Sequence, residues 1–141
     1  MRGPIRAASL VFASCLALLG CTAGAPSADI NFLLVTIDTL RSDRLSCYSS
    51  EHLRTPRIDG LAKKGVLFER AFAHDPETLP SHTNIFLGMT SLAHGVCENS
   101  QSIVAADFLT LAEHLKSRGY ATGAFVSAFP LDSRFGLNQG F

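Results

Sequence analysis

Apolar runs and amphipathic stretches alternate along this chain, and each kind of stretch predicts one kind of element. Residues 30–37, INFLLVTI, form a continuous apolar run that lies between Asp29 and Asp38. Such a run is typical of a strand buried on both faces of a parallel sheet. The apolar runs at 66–73 and 120–129 predict two further strands.

The stretches between these runs predict helices. Residues 55–65, 80–87 and 108–118 carry apolar side chains at helical spacing, and a glycine ends or follows each of them. Thr55 and Pro56 are typical of a helix start. Because strands and helices alternate, we expect an α/β fold with a doubly wound, mainly parallel sheet. Three strands are few for such a sheet, so we expect 30–141 to be the front part of a longer, truncated domain.

The first 21 residues have the composition of an export signal. Arg2 and Arg6 precede a short apolar run, 7–20, and Cys21 follows it. About twenty apolar residues are needed to span a membrane, so this run predicts a secretory signal instead. The ending Leu-Leu-Gly-Cys resembles a bacterial lipobox, in which Cys21 would be lipidated; the alternative is an ordinary signal with Cys21 a bystander. Residues 22–29 are small and polar and predict a short tether.

A lipidated Cys21 predicts a place for the protein in the cell. The chain would be anchored to the cell envelope, in the outer membrane and facing the periplasm or the exterior. Twelve basic residues balance twelve acidic ones. Nothing in that balance indicates a nucleic-acid partner, which normally requires a basic surface. Cys47 and Cys97 match no common zinc spacing, and whether they form a disulfide stays open.

Two residues could form a reactive site. Asp38 follows the first predicted strand, where open α/β sheets bind ligands, and its carboxylate can hold a divalent metal. Thr78 lies just before the predicted 80–87 helix, whose start attracts anions. A threonine hydroxyl becomes a useful nucleophile once a metal or a base activates it. The alternative is that Asp38 caps a turn and Thr78 caps a helix.

Two longer segments resemble a known family. NFLLVTIDTLRSDRLSCY, followed by TPRIDGLAKKGVLFERAFAHDPETLPSHTNIFLGMTSLAHGV, is similar to the N-terminal part of the sulfatase family, within the alkaline-phosphatase-like superfamily of metal-dependent hydrolases. The resemblance implies that Asp38 is a metal ligand, Thr78 the nucleophile and Asn99 a substrate-binding residue. It implies a divalent cation (calcium, zinc, magnesium or manganese). It also implies a substrate that is a small-molecule, glycan or lipid ester.

The chain departs from the sulfatase pattern at several positions. Sulfatases carry a cysteine or serine where Thr78 stands, and they convert it to formylglycine; His82 replaces the arginine of that motif. Ser127 and Phe129 stand where a lysine and a histidine usually hold the sulfate, and Thr39 replaces a second aspartate. These departures disfavour formylglycine chemistry and suit phosphate esters better.

His82 has two interpretations. As a functional group it would steady a substrate anion one turn from Thr78, and otherwise it is an exposed first-turn residue.

The sequence therefore predicts a metal-dependent hydrolase of sulfate or phosphate esters. The superfamily's remaining ligands, an Asp/Asn/His group late in the sequence, are not among these 141 residues. The alternative is a non-catalytic, degenerate sulfatase-like fragment that serves as a binding module.

Overall fold

The computed structural model describes residues 30–49 and 53–141. Its helices are short, and irregular segments join them. The α-helices of the described part are α1 Pro56–Lys64, α2 Thr78–Leu87, α3 Ser91–His94 and α4 Leu111–Ser117. Single 3-10 turns occur at Ser42–Arg44, Phe129–Leu131 and Ser133–Phe135. The chain divides into two compact units between Val35 and Thr36. All of these helices and turns belong to residues 36–141.

Helix α1 confirms the predicted bounds. Thr55 precedes it, Pro56 is its first residue, and Gly65 follows its last residue. The Thr55 side chain does not cap the helix, however. Its hydroxyl donates to Asp59 Oδ1 at 3.0 Å, and the Thr55 N–H donates to Ser46 Oγ at 2.7 Å. Thr55 therefore ties the preceding segment to the helix.

Helix α2 begins two residues earlier than predicted, at Thr78 instead of Pro80. Glu77 precedes it in extended conformation, with φ −95° and ψ 151°. The predicted end is confirmed, because Gly88 lies in the left-handed region at φ 64°, where glycine is favoured. Thr78 is therefore the first residue of the helix and not a residue that precedes it.

Helix α4 is shorter than predicted and runs from Leu111 to Ser117. Thr110 sets its start through a capping box. Its hydroxyl accepts from the Glu113 N–H at 3.1 Å, while the Thr110 N–H donates to Glu113 Oε2 at 2.9 Å. Such a reciprocal pair satisfies two donors that a helix start leaves without partners. The predicted extra turn before Thr110 is therefore wrong.

The predicted sheet is not confirmed. Residues 30–37, 66–73 and 120–127 form no strand, and no strand occurs elsewhere among the described residues. The predicted third strand is also wrong at its end, where Phe129 starts a 3-10 turn. An apolar run can predict a strand, but a strand exists only when a neighbouring strand completes its ladder of hydrogen bonds. Phe72 and Phe125 remain exposed in these segments.

A small apolar core anchors the start of α2. Leu79, the second residue of that helix, is fully buried and clusters with Val96, Val104, Phe135 and Leu137. The Val104 N–H donates to the Phe135 carbonyl at 2.9 Å, which joins two distant segments. Because Leu79 is adjacent to Thr78, this core fixes the position of the candidate nucleophile.

Two expectations concern membranes and cysteines. The predicted signal, Cys21 and the tether at 22–29 lie outside the described residues. Among the helices that the structure describes, none has the length and apolar character to span a membrane. Cys47 and Cys97 are free thiols and do not form the disulfide that had been left open.

Candidate active site at the start of helix α2

The two residues predicted to carry the chemistry lie side by side. The Thr78 hydroxyl donates to Asp38 Oδ2 at 3.4 Å, although 40 positions separate the two residues. Asp38 is exposed and Thr78 is half-buried, so solvent reaches the pair. The contact is long, since O–H···O hydrogen bonds cluster at about 2.7–2.8 Å. The side chains are neighbours without a tight bond between them.

The backbone turns sharply directly after Asp38. Thr39 has φ 55°, and it is the non-glycine residue with positive φ in the described part of the chain. A β-branched residue rarely adopts this region because its side chain clashes with its own backbone. A bidentate ion pair between Arg41 and Asp43, with distances of 2.6 and 2.9 Å, follows in the exposed loop. The strained turn directs the chain away immediately after the carboxylate.

His82 is buried below the pair, with 7% of its surface exposed. Its Nδ1 lies 2.8 Å from the Thr78 carbonyl oxygen, and its Nε2 lies 3.0 Å from Thr36 Oγ1. A carbonyl oxygen only accepts, so Nδ1 carries a proton and donates to it, while Nε2 pairs with Thr36 Oγ1. Both ring nitrogens therefore have protein partners. The expectation of an exposed first-turn histidine is not met, and substrate binding by His82 stays a prediction.

Asn99 is hydrogen-bonded to the first turn of α2. Its Oδ1 accepts from the Leu79 N–H at 2.7 Å, and its own N–H donates to Glu77 Oε2 at 2.8 Å. A helix start leaves N–H groups without intrahelical partners, and Asn99 satisfies one of them. Its other side-chain atom, the amide nitrogen, is the group left for a substrate oxygen. Asn99 therefore lies beside the residue that follows Thr78, while its substrate contact stays a prediction.

A second polar cluster lies further along α2, and sequence reasoning missed it. Asp75 Oδ2 accepts from Asn84 Nδ2 and from Ser91 Oγ, each at 2.5 Å. These two hydrogen bonds, Ser91 first, hold the pKa of the Asp75 carboxyl below its usual value. The available signal was Asn84, a polar amide inside the predicted 80–87 helix. A side chain of that kind competes with helical backbone bonds unless it has another partner.

His94 completes this second cluster. Its Nε2 lies 2.6 Å from Asn84 Oδ1, and its Nδ1 accepts from the Val96 N–H at 3.1 Å. The backbone donor requires an unprotonated Nδ1, so the proton of this ring is on Nε2. Burial lowers the pKa of His94, and the nearby Asp75 charge opposes that shift. The neutral ring thus joins α2 to the segment after α3.

The sulfate-holding positions have no basic side chain here. Ser127 is exposed, outside any helix. Phe129 packs edge-on against Phe135, with ring centroids 5.3 Å apart, and the Arg134 guanidinium lies 5.2 Å above its ring. Phe129 thus contributes to packing, which agrees with its apolar character.

Metal ligands are incomplete in the described part. No group of three or more His, Cys, Asp or Glu side chains lies there in metal-binding proximity. Asp38 and Thr78 offer two oxygens 3.4 Å apart. That is the spacing of two ligands at right angles around a cation with oxygen distances of about 2.4 Å. The pair therefore fits a hard divalent cation that takes its remaining ligands from elsewhere.

Comparison with known proteins identifies the family of the chain. The profile of the sulfatase family matches residues 30–141. The chain is 36% identical over 107 residues to N-acetylgalactosamine-6-O-sulfatase of Bacteroides thetaiotaomicron, which covers 71% of this chain and 20% of the relative. It is 34% identical over 118 residues to iduronate 2-sulfatase of Mus musculus, and the match covers 82% of this chain and 21% of the relative. It is 32% identical over 111 residues to steryl-sulfatase of Rattus norvegicus, and the match covers 72% of this chain and 19% of the relative.

No solved structure gives a significant match. The chain spans about a fifth of the length of these curated relatives. The family profile nevertheless covers most of the chain, including Asp38, Thr78 and Asn99. The chain belongs to the sulfatase family, which implies an alkaline-phosphatase-like α/β fold.

Proposed function

We propose that this chain carries the nucleophile and one metal ligand of a metal-dependent hydrolase of sulfate or phosphate esters. The observation that carries the proposal is the 3.4 Å approach of Thr78 Oγ1 to Asp38 Oδ2 at the start of α2. The site is open to solvent on the Asp38 side. Members of the family are generally metal-dependent, which agrees with the oxygen pair.

In the proposed reaction, Thr78 attacks the sulfur or phosphorus of the ester. The hydroxyl directs its proton toward Asp38, which leaves lone pairs of Oγ1 for the attack. The bond from sulfur or phosphorus to the alcohol oxygen breaks as the Thr78 ester forms, and the alcohol leaves with the proton that the Thr78 hydroxyl gave up. Water then hydrolyses the Thr78 ester, which releases the acid and restores the hydroxyl. A bound divalent cation would lower the pKa of the hydroxyl and neutralise charge on the transferred group. The start of α2 supplies partial positive charge for the same oxygens.

Two substrate classes remain, and we favour phosphate over sulfate esters. Thr78 is neither the cysteine nor the serine that is converted to formylglycine, and His82 is buried where the maturation motif has an arginine. Ser127 and Phe129 supply no charge for a sulfate. The relatives are named as sulfatases of N-acetylgalactosamine, iduronate and steryl substrates, so a glycan or lipid alcohol is proposed here too.

The test uses the full protein that contains this chain. Thr78→Ala should abolish turnover, Thr78→Ser should keep part of it, and a chelator should remove it reversibly. Thr78→Cys should not mature to formylglycine, because His82 stands in place of the arginine. Aryl phosphate and aryl sulfate assayed side by side should show preference for phosphate. Wild-type turnover in Thr78→Ala would make Thr78 a structural residue, and strong preference for sulfate would reverse the choice of ester.

A second candidate is a non-catalytic module that binds an anion, glycan or partner. It is supported by His82, whose two ring nitrogens are both engaged by protein groups. A module of this kind would bind a phosphorylated glycan with a metal-independent affinity and would show no turnover. Metal-dependent turnover that Thr78→Ala removes would exclude it.

Envelope anchoring is a separate proposal that rests on the lipobox resemblance at Cys21. Labelling cells with a radioactive fatty acid should mark the wild type and not Cys21→Ala. Equal labelling of both would refute the anchor without affecting the proposed chemistry.

A further inference from the structure

We infer that His82 is a positioning residue that holds the Asp38 segment against Thr78; the inference rests on the proposed function. His82 lies one helical turn after Thr78 and bonds the carbonyl of that residue at 2.8 Å. Its other nitrogen reaches Thr36, two residues before Asp38, at 3.0 Å. One rigid ring therefore connects the nucleophile to the segment that carries the candidate metal ligand.

The Asp38 segment has few other attachments. Thr36 and Ile37 belong to no helix or strand, and Asp38 and Thr39 are exposed in the turn that follows. In the described chain, the side-chain hydrogen bonds that tie this segment to α2 are Asp38 to Thr78 and Thr36 to His82. The first of these is long. The second is therefore the contact that can set the separation of the two reacting side chains.

A fixed separation matters because catalysis is sensitive to small displacements. A shift of about 1 Å in a reacting group can cost about a hundredfold in rate. Partners that orient metal ligands typically contribute about ten- to a hundredfold in affinity or activity. His82 is suited to this work because it is buried and both of its ring nitrogens are bonded to protein groups.

The two hydrogen bonds of the His82 ring, to Thr78 and to Thr36, form a bridge between α2 and the Asp38 segment. The key variants change the Thr36 end of this bridge in the full protein. Thr36→Val removes the hydroxyl and keeps the shape, whereas Thr36→Ser keeps the hydroxyl. Thr83→Val is the matched control, since the buried Thr83 hydroxyl bonds the Leu79 carbonyl at 2.7 Å within the same helix. His82→Gln, alone and combined with Thr36→Val, completes a double-mutant cycle.

Three readouts separate positioning from simple packing. Titration calorimetry with Ca²⁺ and with Mn²⁺ gives metal affinity, an aryl phosphate gives kcat and KM, and thermal unfolding gives stability. We expect Thr36→Val to lower metal affinity and kcat by about ten- to a hundredfold with little change in KM. Thr36→Ser should restore both, and Thr83→Val should lower stability alone. The double variant should be no worse than its more damaging single variant.

A ring-nitrogen NMR spectrum supplies a readout that does not depend on activity. Wild-type His82 should carry its proton on Nδ1, and Thr36→Val should move the Nε2 signal.

The contrary results are distinct. If Thr78→Ala abolishes turnover while Thr36→Val leaves metal affinity and kcat intact, the positioning role fails and the proposed function stands. If Thr78→Ala retains turnover, the proposed function fails and the positioning role fails with it. A wild-type His82 ring with its proton on Nε2 would also overturn the bridge.

Discussion

Two carboxylates flank helix α2, and their surroundings differ. Asp75 accepts two hydrogen bonds of 2.5 Å, from Asn84 and Ser91, which lower the pKa of its carboxyl. Asp38 is exposed and has one long contact, 3.4 Å to Thr78, as its side-chain hydrogen bond within the described residues. The Asp75 carboxylate accepts hydrogen bonds from other parts of the protein, whereas the Asp38 carboxylate keeps lone pairs available for a ligand.

The two histidines on α2 and α3 both bond protein groups but connect different segments. His94 bonds Asn84 and the Val96 N–H and carries its proton on Nε2. His82 bonds the Thr78 carbonyl and the Thr36 hydroxyl and carries its proton on Nδ1. One cluster stabilises the fold around α2 and the other aligns two candidate reactive groups. Variants in the two clusters should therefore affect different properties.

The largest contrast is expected between Asp38→Asn and Asp75→Asn. Asp38→Asn should lower kcat/KM by about a thousandfold, because replacing a charged metal ligand with a neutral amide forfeits several kcal/mol of charge stabilisation. Its stability should change by about 0.5 kcal/mol at most, since the residue is exposed. Asp75→Asn replaces the charged acceptor of the Asn84 and Ser91 hydrogen bonds with a neutral amide, so it should lower the unfolding midpoint and keep metal affinity. Calorimetry and thermal unfolding of both variants check this, and the reverse assignment would refute the division.

Asn84→Ala should give the next largest effect. It removes the acceptor of the buried His94 N–H, and a buried donor without a partner costs about 1–3 kcal/mol. Denaturant unfolding measures that loss, with Asn138→Ala, at an exposed asparagine, as the matched control. Metal affinity should stay at the wild-type value. Equal stability of the two variants would show that the second cluster contributes nothing.

Thr39→Gly should give a smaller effect of opposite sign. Relief of the left-handed strain at φ 55° should exceed the entropy cost of glycine and stabilise the protein by about 0.5–1 kcal/mol. The control is Thr90→Gly, an exposed threonine with φ −96°, which should destabilise instead. We also expect weaker metal binding in Thr39→Gly, because Asp38 becomes freer. A loss of stability matching that of Thr90→Gly would contradict the strain argument.

The smallest expected effect is on the pH dependence of stability. The pKa of His94 is lowered from 6.5 by burial, so the folded protein binds this proton less readily than the unfolded chain. The stability that His94 contributes should be fully present above pH 6.5. It should decline as the pH falls from 6.5 towards the pKa of His94 in the folded protein. A second decline should begin as pH falls below 3.8, because the Asp75 carboxyl takes up a proton in the unfolded chain before it does so in the folded protein, where its pKa is lower.

The variant that tests the assignment is His94→Gln. Its amide keeps a donor for Asn84 and does not titrate, so the first decline should disappear and the second should remain. Denaturant unfolding at a series of pH values measures both. A decline below pH 6.5 that persists in His94→Gln would assign the effect to another group.

Local sequence signals predicted the helix ends better than the strands. Gly65 and Gly88 follow the last residues of their helices as expected, and Gly88 does so in the left-handed region, where glycine is favoured. The start of α4 was misplaced because the capping box of Thr110 and Glu113 outweighs the apolar residues before it. The runs at 66–73 and 120–127 form no strand, because strand pairing depends on a second segment that no local pattern specifies.

Asp38, Thr78 and Asn99 could be selected from the sequence because the family resemblance places them at known positions. Asp75, Ser91 and His94 could not, because nothing in their spacing shows that Asp75 and His94 both bond Asn84 and that Ser91 donates to Asp75. Their positions depend on how α2 and α3 pack, which only the fold determines.

The sequence by itself determined the family, the bounds of α1 and the residue types at the site, since these follow from local spacing and residue chemistry. Only the tertiary structure decided that Asp38 and Thr78 meet across 40 positions. It also decided which nitrogen of His82 and of His94 carries the proton, because each tautomer follows from a backbone group that faces the ring. Contacts between distant segments are set by packing around Leu79 and its neighbours, and packing is a property of the whole fold.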